Sequence, residues 1–189
     1  IRDVERARGL GDVYKRQALA DYGYREVGQE YLQNVLNTDK KLDAYDSGRI
    51  YYYLGDYQKA YLALEEAKGK GGVDSYLYLG KAYAATGDYN YASSVYSNYL
   101  SKQGPDAEIY NQLGLCELAK KDYQKALEAF QAGKQIEGNS LMQTLSFNEI
   151  VAYEYLQDYQ KAAVLLKAYL QNYPDDQAAI REQQFLSTR

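Results

Sequence analysis

A tripeptide ending in Asp-Tyr recurs four times along this chain at nearly even spacing. It stands at 55–57, 87–89, 121–123 and 157–159, so the successive aspartates are separated by 32, 34 and 36 residues. Each tyrosine is followed by an alanine three positions later, and each alanine by a large side chain four positions later. These are Ala60 and Leu64, Ala92 and Tyr96, Ala126 and Phe130, and Ala162 and Leu166. Periods of this length are typical of repeat architectures.

Each Asp-Tyr pair predicts the start of a helix, because an Asp side chain accepts hydrogen bonds from the free amides of a first helical turn. Gly55 and Gly87, just before two of the pairs, suit the left-handed residue that ends a preceding helix. Two helices therefore meet at a tight turn. The alanine lets the two helices approach closely, and the larger residue one turn later fills the adjacent space. The repeated unit is predicted to be an antiparallel helical hairpin.

The predicted first helices carry a pattern of their own. One unit has Tyr76, Leu79-Gly80 and Tyr83, followed by Ala92 and Tyr96. This pattern resembles the tetratricopeptide repeat, whose signature is an aromatic residue, Leu-Gly and Tyr, then Ala, an aromatic residue and Pro. The likeness covers about residues 22–186, and we interpret the chain as a fragment of a bacterial protein of this kind. The resemblance implies an all-α fold, a right-handed α-solenoid of antiparallel helix hairpins.

The copies depart from the signature at a few positions, which are Ala44, Ser47, Glu117, Ser146, Glu149 and Ile150. The period divides the chain into full repeats at 41–72, 73–106, 107–142 and 143–174. A partial first repeat is predicted at 18–40, where Tyr24, Val27 and Tyr31 reproduce the spacing of a second helix. Residues 175–189 are predicted to be a closing helix or the start of a further repeat. Residues 1–17 carry five basic and three acidic residues, match no repeat and resemble translated adaptor sequence, so we interpret them as a non-native or linker segment.

The composition argues against several classes of function. The sequence contains no His, so the commonest general base and metal ligand is missing, and we predict neither enzymatic activity nor a metal or other cofactor. The single cysteine, Cys116, is expected to be a buried, inert thiol. A net charge of -4 argues against nucleic acid as a partner.

Polar residues interrupt every apolar stretch, so no membrane insertion is predicted and the chain is expected to be soluble. A cytoplasmic location is favoured. An extracytoplasmic one stays open, because the sequence begins at Ile1 without an initiator Met. The sequence indicates no particular oligomeric state.

In the family that the chain resembles, the inner wall of the stacked hairpins binds peptide segments. Residues one position beyond the packing stripe of each first helix are therefore expected to face the groove, as Tyr45, Arg49 and Tyr52 do at spacings of four and three. The full set is Tyr45, Arg49, Tyr52, Tyr78, Lys81, Asn111, Gln112, Leu115, Asn148 and Tyr155. Tyrosine anchors and amide side chains suit the recognition of a peptide. The predicted function is a protein-protein interaction scaffold that binds a peptide or protein segment in its concave groove.

Two alternative functions stay open at this point. One is a peptide-sensing regulatory module of a larger protein. The other is saccharide binding by some of the 24 tyrosines, which requires several rings to be exposed along the groove. The carboxylate clamp of some relatives is not carried over, because Tyr45 and Glu108 stand where that clamp needs cations.

Overall fold

The computed structural model describes residues 25–38 and 42–189, and all the regular secondary structure in these ranges is helical. The ten helices are α1 (Arg25–Thr38), α2 (Ala44–Leu54), α3 (Tyr57–Glu66), α4 (Val73–Ala85), α5 (Tyr89–Gln103), α6 (Ala107–Ala119), α7 (Tyr123–Lys134), α8 (Met142–Tyr155), α9 (Tyr159–Asn172) and α10 (Gln177–Leu186). The predicted all-α helical-repeat fold is confirmed. The segment 1–17 lies outside the described residues, and the exact repeat boundaries stay a prediction.

The chain divides into two compact units, Ile1–Asp88 and Tyr89–Arg189. In the first unit, α2 packs against α1, α3 and α4, and α3 packs against α4. In the second unit, each helix from α5 to α10 packs against the next one along the chain. Contacts between sequence neighbours are what stacked hairpins produce, because each unit buries its apolar faces against the adjacent one.

The tight turns have the geometry that the Asp-Tyr motif predicts. The side chains of Asp56, Asp122 and Asp158 each accept a hydrogen bond from the backbone amide three residues later, at 3.3, 3.4 and 3.0 Å. Gly55 has the predicted left-handed backbone, with φ of 83°. Lys121 and Gln157 take the same conformation without being glycine, with φ of 64° and 63°. The turn is therefore kept even where its backbone is unfavourable for an L-residue.

The recurring alanines lie in the interior, and all four are completely buried. The signature glycine of a first helix is in contact with the bulky residue of the second. A Cβ atom placed on Gly48 would lie 2.5 Å from Cγ of Leu64, and Gly114 has no room for a Cβ beside the ring of Phe130. These glycines are thus required by the close approach of the paired helices.

The packing face of α1 differs from the sequence prediction. Val27, which the repeat spacing places on the packing stripe, has 54% of its surface exposed. Leu32 is fully buried instead and forms a small core with Ile50 of α2. The face that α1 turns toward α2 therefore includes Leu32 and excludes Val27, while Tyr24 lies outside the described residues.

Candidate functional site

The predicted groove residues fall into two groups, each within one compact unit. Tyr45, Arg49 and Tyr52 lie on α2 with Tyr78 and Lys81 on α4, in the first unit. Asn111, Gln112 and Leu115 lie on α6 with Asn148 and Tyr155 on α8, in the second unit. The packing of neighbouring hairpins brings the members of each group together.

In the first unit, four tyrosines and one arginine form what we name the tyrosine–arginine cluster: Tyr45, Arg49, Tyr52, Tyr53 and Tyr78. The Arg49 guanidinium carbon lies 5.1 Å from the ring centroids of both Tyr45 and Tyr78. Tyr52 meets Tyr78 edge to face, with centroids 5.5 Å apart. The hydroxyls of Tyr53 and Tyr78 share a hydrogen bond of 2.6 Å. Each of these distances is within the range of cation–π and aromatic contacts or of a hydrogen bond.

Two members of this cluster are less accessible than the sequence predicts. Arg49 has 3% of its surface exposed and Tyr45 has 8%, so neither lines an open groove in this structure, and their part in partner binding stays a prediction. The loop before α4 closes over Tyr45, because a Cβ on Gly71 would lie 2.7 Å from the Tyr45 ring. The Tyr45 hydroxyl donates to Asp74 at 3.3 Å. Tyr52, Tyr78 and Lys81 are half-buried, and these three reach the surface.

The charge state of the cluster follows from its burial. Burial raises the pKa of Tyr45, of Tyr52 and of Tyr53, so these phenols are neutral at physiological pH. Arg49 keeps its positive charge, since a guanidinium does not lose its proton in proteins. Lys81 brings a second cation to the same place, with Nζ 6.0 Å from the Tyr78 ring. The cluster is therefore cationic at its centre and aromatic around it.

In the second unit, two of the predicted groove residues bind each other. The side-chain amide of Asn148 donates to the side-chain oxygen Oδ1 of Asn111 at 2.8 Å, and this bond joins α8 to α6. Asn111 is buried by this contact, which corrects the expectation that it faces an open groove. Gln112 is half-buried and donates to Glu108 on its own helix at 2.9 Å.

The two apolar members of the second group are at the surface. Leu115 is 39% exposed and Tyr155 is 54% exposed. The Tyr155 ring stacks on Tyr123 of α7, with centroids 4.9 Å apart and planes 15° from parallel. Stacking fixes the orientation of an exposed ring, so Tyr155 offers a rigid apolar face at the surface.

Sequence patterns do not identify three residues that shape these groups. Tyr53 and Asp74 hydrogen-bond to members of the first group, and Tyr123 stacks on a member of the second. Tyr123 belongs to the Asp-Tyr motif, which assigns it only to the turn. No sequence signal could identify the other two, because their bonds depend on how α4 crosses α2.

Metal binding and thiol chemistry find no support in the described residues. They contain no group of three or more residues suited to holding a metal ion. Cys116 is buried, and burial raises the pKa of its thiol to about 12, so the reactive thiolate does not form at neutral pH. No helix in these ranges has both the length and the apolar character needed to cross a membrane.

Comparison with known proteins identifies a family. The tetratricopeptide repeat family matches residues 77–140 and, through a second description of the same repeat, residues 147–176. Tetratricopeptide repeat protein 21B of Xenopus laevis is 29% identical over 175 residues, which are 91% of this chain. The chain spans 12% of the length of that relative. The bacterial origin expected from the sequence stays a prediction.

Solved structures show the same fold. A thermophilic TPR protein of Thermus thermophilus matches with a TM-score of 0.73 and 15% identity, covering 96% of this chain and 100% of that protein. YrrB, a TPR protein with an unusual peptide-binding site, matches with a TM-score of 0.64 and 19% identity, over 97% of this chain and 96% of its own. At these identities the likeness is one of fold.

Proposed function

This chain is a tetratricopeptide repeat protein, and on that premise we propose that it is a non-enzymatic scaffold that binds a peptide or protein segment of a partner. We place the binding surface on the first helices of the hairpins, which are α2 and α4 in one unit and α6 and α8 in the other. In repeat proteins, function depends on surface residues that are not used for packing between repeats. The proposed binding residues are therefore surface side chains of α2, α4, α6 and α8.

One observation in the second unit supports the proposal most strongly. The Asn148–Asn111 hydrogen bond holds α8 beside α6. Leu115 lies one turn beyond Asn111 on α6, and Tyr155 lies two turns beyond Asn148 on α8. Both are exposed although each is large and apolar. Exposed apolar anchors on neighbouring first helices form the kind of surface that binds a peptide, since such anchors supply most of the affinity.

One of the comparison structures supports this proposal. YrrB, whose fold this chain shares, has a peptide-binding site. Identity of 19% carries no residue of that site to this chain. The peptide-binding site of YrrB supports a peptide as the class of ligand. The contacts that we propose for this chain are those of the side chains described above.

The saccharide alternative is disfavoured by the state of the tyrosines. Among the tyrosines in the described ranges, only Tyr91 and Tyr155 are exposed. A sugar stacks on an open ring face, whereas one face of Tyr155 is already covered by Tyr123. The regulatory alternative uses the same peptide site, and no observation on the described residues favours it over a scaffold.

A peptide-selection experiment tests the proposal. The whole chain is used to select from a displayed library of random linear peptides, and the affinity of selected peptides is measured by fluorescence anisotropy. We expect Leu115→Ser combined with Tyr155→Ser to weaken binding by about tenfold or more, which is typical when buried interface anchors are removed. Val164→Ser is the matched control, because Val164 is exposed but lies on α9, a second helix.

The outcomes separate clearly. Binding that falls in the double variant and persists in Val164→Ser supports a peptide site on the first helices. Selected peptides that bind the double variant as tightly as the parent chain would place the site elsewhere. A library that yields no peptide above the level of a blank surface would count against the scaffold function itself.

A further inference from the structure

The buried guanidinium of Arg49 has hydrogen bonds left unmade. Its Nε and Nη1 atoms have no partner in the described part of the chain. Arg49 has only 3% of its surface exposed, so water does not readily replace the missing acceptors. Buried donors are normally paired, and a buried charge without an anion is especially unfavourable. Arg49 therefore needs an explanation beyond packing.

The surroundings of Arg49 provide ring faces and a hydrogen bond to Tyr78, but no ion pair within the described residues. Tyr45 and Tyr78 lie on the guanidinium at 5.1 Å, and their quadrupoles stabilise a cation. The raised pKa of the Tyr45 phenol excludes a tyrosinate there at neutral pH. Asp74, which Tyr45 reaches from a different helix, is engaged by the Tyr45 hydroxyl. No carboxylate pairs with Arg49 in residues 42–88.

A carboxylate fits the unpaired donors of Arg49 in charge and in chemistry. Its oxygens accept hydrogen bonds, and its single negative charge balances the single guanidinium. Arginine binds carboxylates through bonds of this kind more strongly than it binds neutral groups. A phosphate carries more charge and is generally held by several donors at once. One cation at the centre of an aromatic cluster is better matched to a carboxylic acid.

The position of Arg49 indicates which kind of carboxylate would reach it. Tyr45 and Tyr52 lie about one turn before and one turn after Arg49 on α2. An extended peptide that crosses this helix continues past Arg49 in both directions. The carboxylate that enters is then the side chain of an internal residue, with a neighbouring residue against the half-buried ring of Tyr52.

Resting on the proposed function, we infer that the tyrosine–arginine cluster is a subsite for an Asp or Glu side chain of the bound peptide, recognised by Arg49. The half-buried ring of Tyr78 lies over Arg49 at 5.1 Å, and the half-buried rings of Tyr52 and Tyr53 contact Tyr78. Side-chain rotation at an interface is common on binding, and the Tyr53–Tyr78 hydroxyl bond of 2.6 Å is one of the contacts that such a rotation would break. The partner is therefore a peptide with an obligatory acidic residue.

A double-mutant cycle tests this inference on the whole chain. The probes are synthetic, C-terminally amidated peptides taken from the display selection, each made in its original form and with every Asp or Glu replaced singly by Asn or Gln. We expect one such replacement to weaken binding to the parent chain by about tenfold to a hundredfold. The same replacement should change binding to Arg49→Gln by less than about twofold, because the recognising group is gone.

Two further variants serve as controls. Lys125→Gln removes an exposed cation on α7 and should leave the acidic preference unchanged. Arg49→Lys keeps the charge but not the planar donor set. It should therefore still bind the acidic peptide more tightly than the amide form, by a smaller factor than the parent chain does. Arg49→Lys also provides the test if Arg49→Gln does not fold.

Each remaining outcome is decisive. Peptides that bind the parent chain but show no acidic preference, or the same preference in Arg49→Gln, overturn the inference and leave the scaffold function standing. Binding that requires a free terminal carboxylate and no acidic side chain overturns it as well. A selection that yields no peptide removes the scaffold function first, so the two failures are distinguishable.

Discussion

Lys134 of α7 donates to Glu149 of α8 at 2.5 Å, and the glutamate is buried. Gln131 donates to the second Glu149 oxygen at 2.8 Å. Glu149 stands where the repeat signature has its leucine, so this hairpin interface replaces an apolar contact by a hydrogen-bonded ion pair. Glu117 is a second buried departure from the signature and pairs with Lys120 at 2.9 Å. The irregular copies are thus compensated by local charge pairs.

Replacing Glu149 by Gln should destabilise the second unit. The change removes the carboxylate and leaves Lys134 without its ionic partner in a partly desolvated place. Lys134 keeps some contact with solvent, so we expect a loss of about 2 kcal/mol in the free energy of unfolding, below the range for fully buried pairs. Urea denaturation followed by circular dichroism measures it.

The matched control for Glu149 replaces both partners. Glu149→Leu with Lys134→Met restores an apolar interface and should return the free energy of unfolding to within about 1 kcal/mol of the parent chain, because apolar isosteres often replace buried ion pairs without loss. If the double variant were as unstable as Glu149→Gln, the Glu149–Lys134 pair would contribute more to stability than an apolar contact of similar size.

Replacing Lys121 by Gly should stabilise the chain. Lys121 has a φ of 64°, a conformation that is costly for residues with a Cβ, and Gly55 occupies the same place in another turn. We expect a gain of about 1 kcal/mol, measured as a rise in the midpoint of thermal unfolding. The reverse change, Gly55→Lys, should lower the midpoint by a similar amount. A lower midpoint for Lys121→Gly would mean that the Lys121 side chain contributes more stability than its left-handed backbone conformation costs.

Replacing Ala126 by Leu tests the close crossing of α6 and α7. Ala126 is completely buried, so extra side-chain atoms force the paired helices apart. We expect a loss of about 1 to 3 kcal/mol in the free energy of unfolding. Ala163→Leu is the control, because Ala163 is an exposed helical alanine. Equal midpoints of denaturation for the two variants would contradict tight packing at Ala126.

The sequence predicts the features that depend on local chemistry. The positions of Asp56, Asp122 and Asp158 as helix caps follow from one motif, and the buried alanines follow from its spacing. A capped turn needs only a few consecutive residues, so its pattern is visible in the sequence. The hairpins and their order along the chain are predictable for that reason.

Burial of the candidate site residues is not predictable in the same way. The position of Arg49 on α2 predicts the groove face, yet Tyr78 of α4 lies against it. Whether Arg49 is buried depends on the size of a side chain from a neighbouring hairpin. The spacing of residues along one helix does not encode that size. Replacing Tyr45, Arg49 and Tyr52 together would therefore remove buried side chains as well as surface ones, so Leu115 and Tyr155 are the better test of binding.

The last helix, α10, carries a pH-sensitive contact. Glu154 of α8 faces Glu182 of α10, and one Glu154 oxygen is buried without a hydrogen-bond partner in the described residues. Burial, followed by the charge of Glu182 and a hydrogen bond to it, raises the pKa of Glu154 from 4.5 to about 7. The folded chain therefore holds a proton in a pH range where the unfolded chain has released it.

Stability should consequently fall as the pH rises. The contribution of the protonated pair is complete below about pH 4.5 and is lost as the pH passes through about 7. We expect the midpoint of thermal unfolding to decrease as the pH rises from about 4.5 to about 7. Glu154→Gln should flatten this dependence, since an amide cannot ionise, whereas Glu128→Gln, at an exposed position on α7, should leave it unchanged. If the midpoint of thermal unfolding of Glu154→Gln depends on pH as steeply as that of the parent chain, a group other than Glu154 holds the proton.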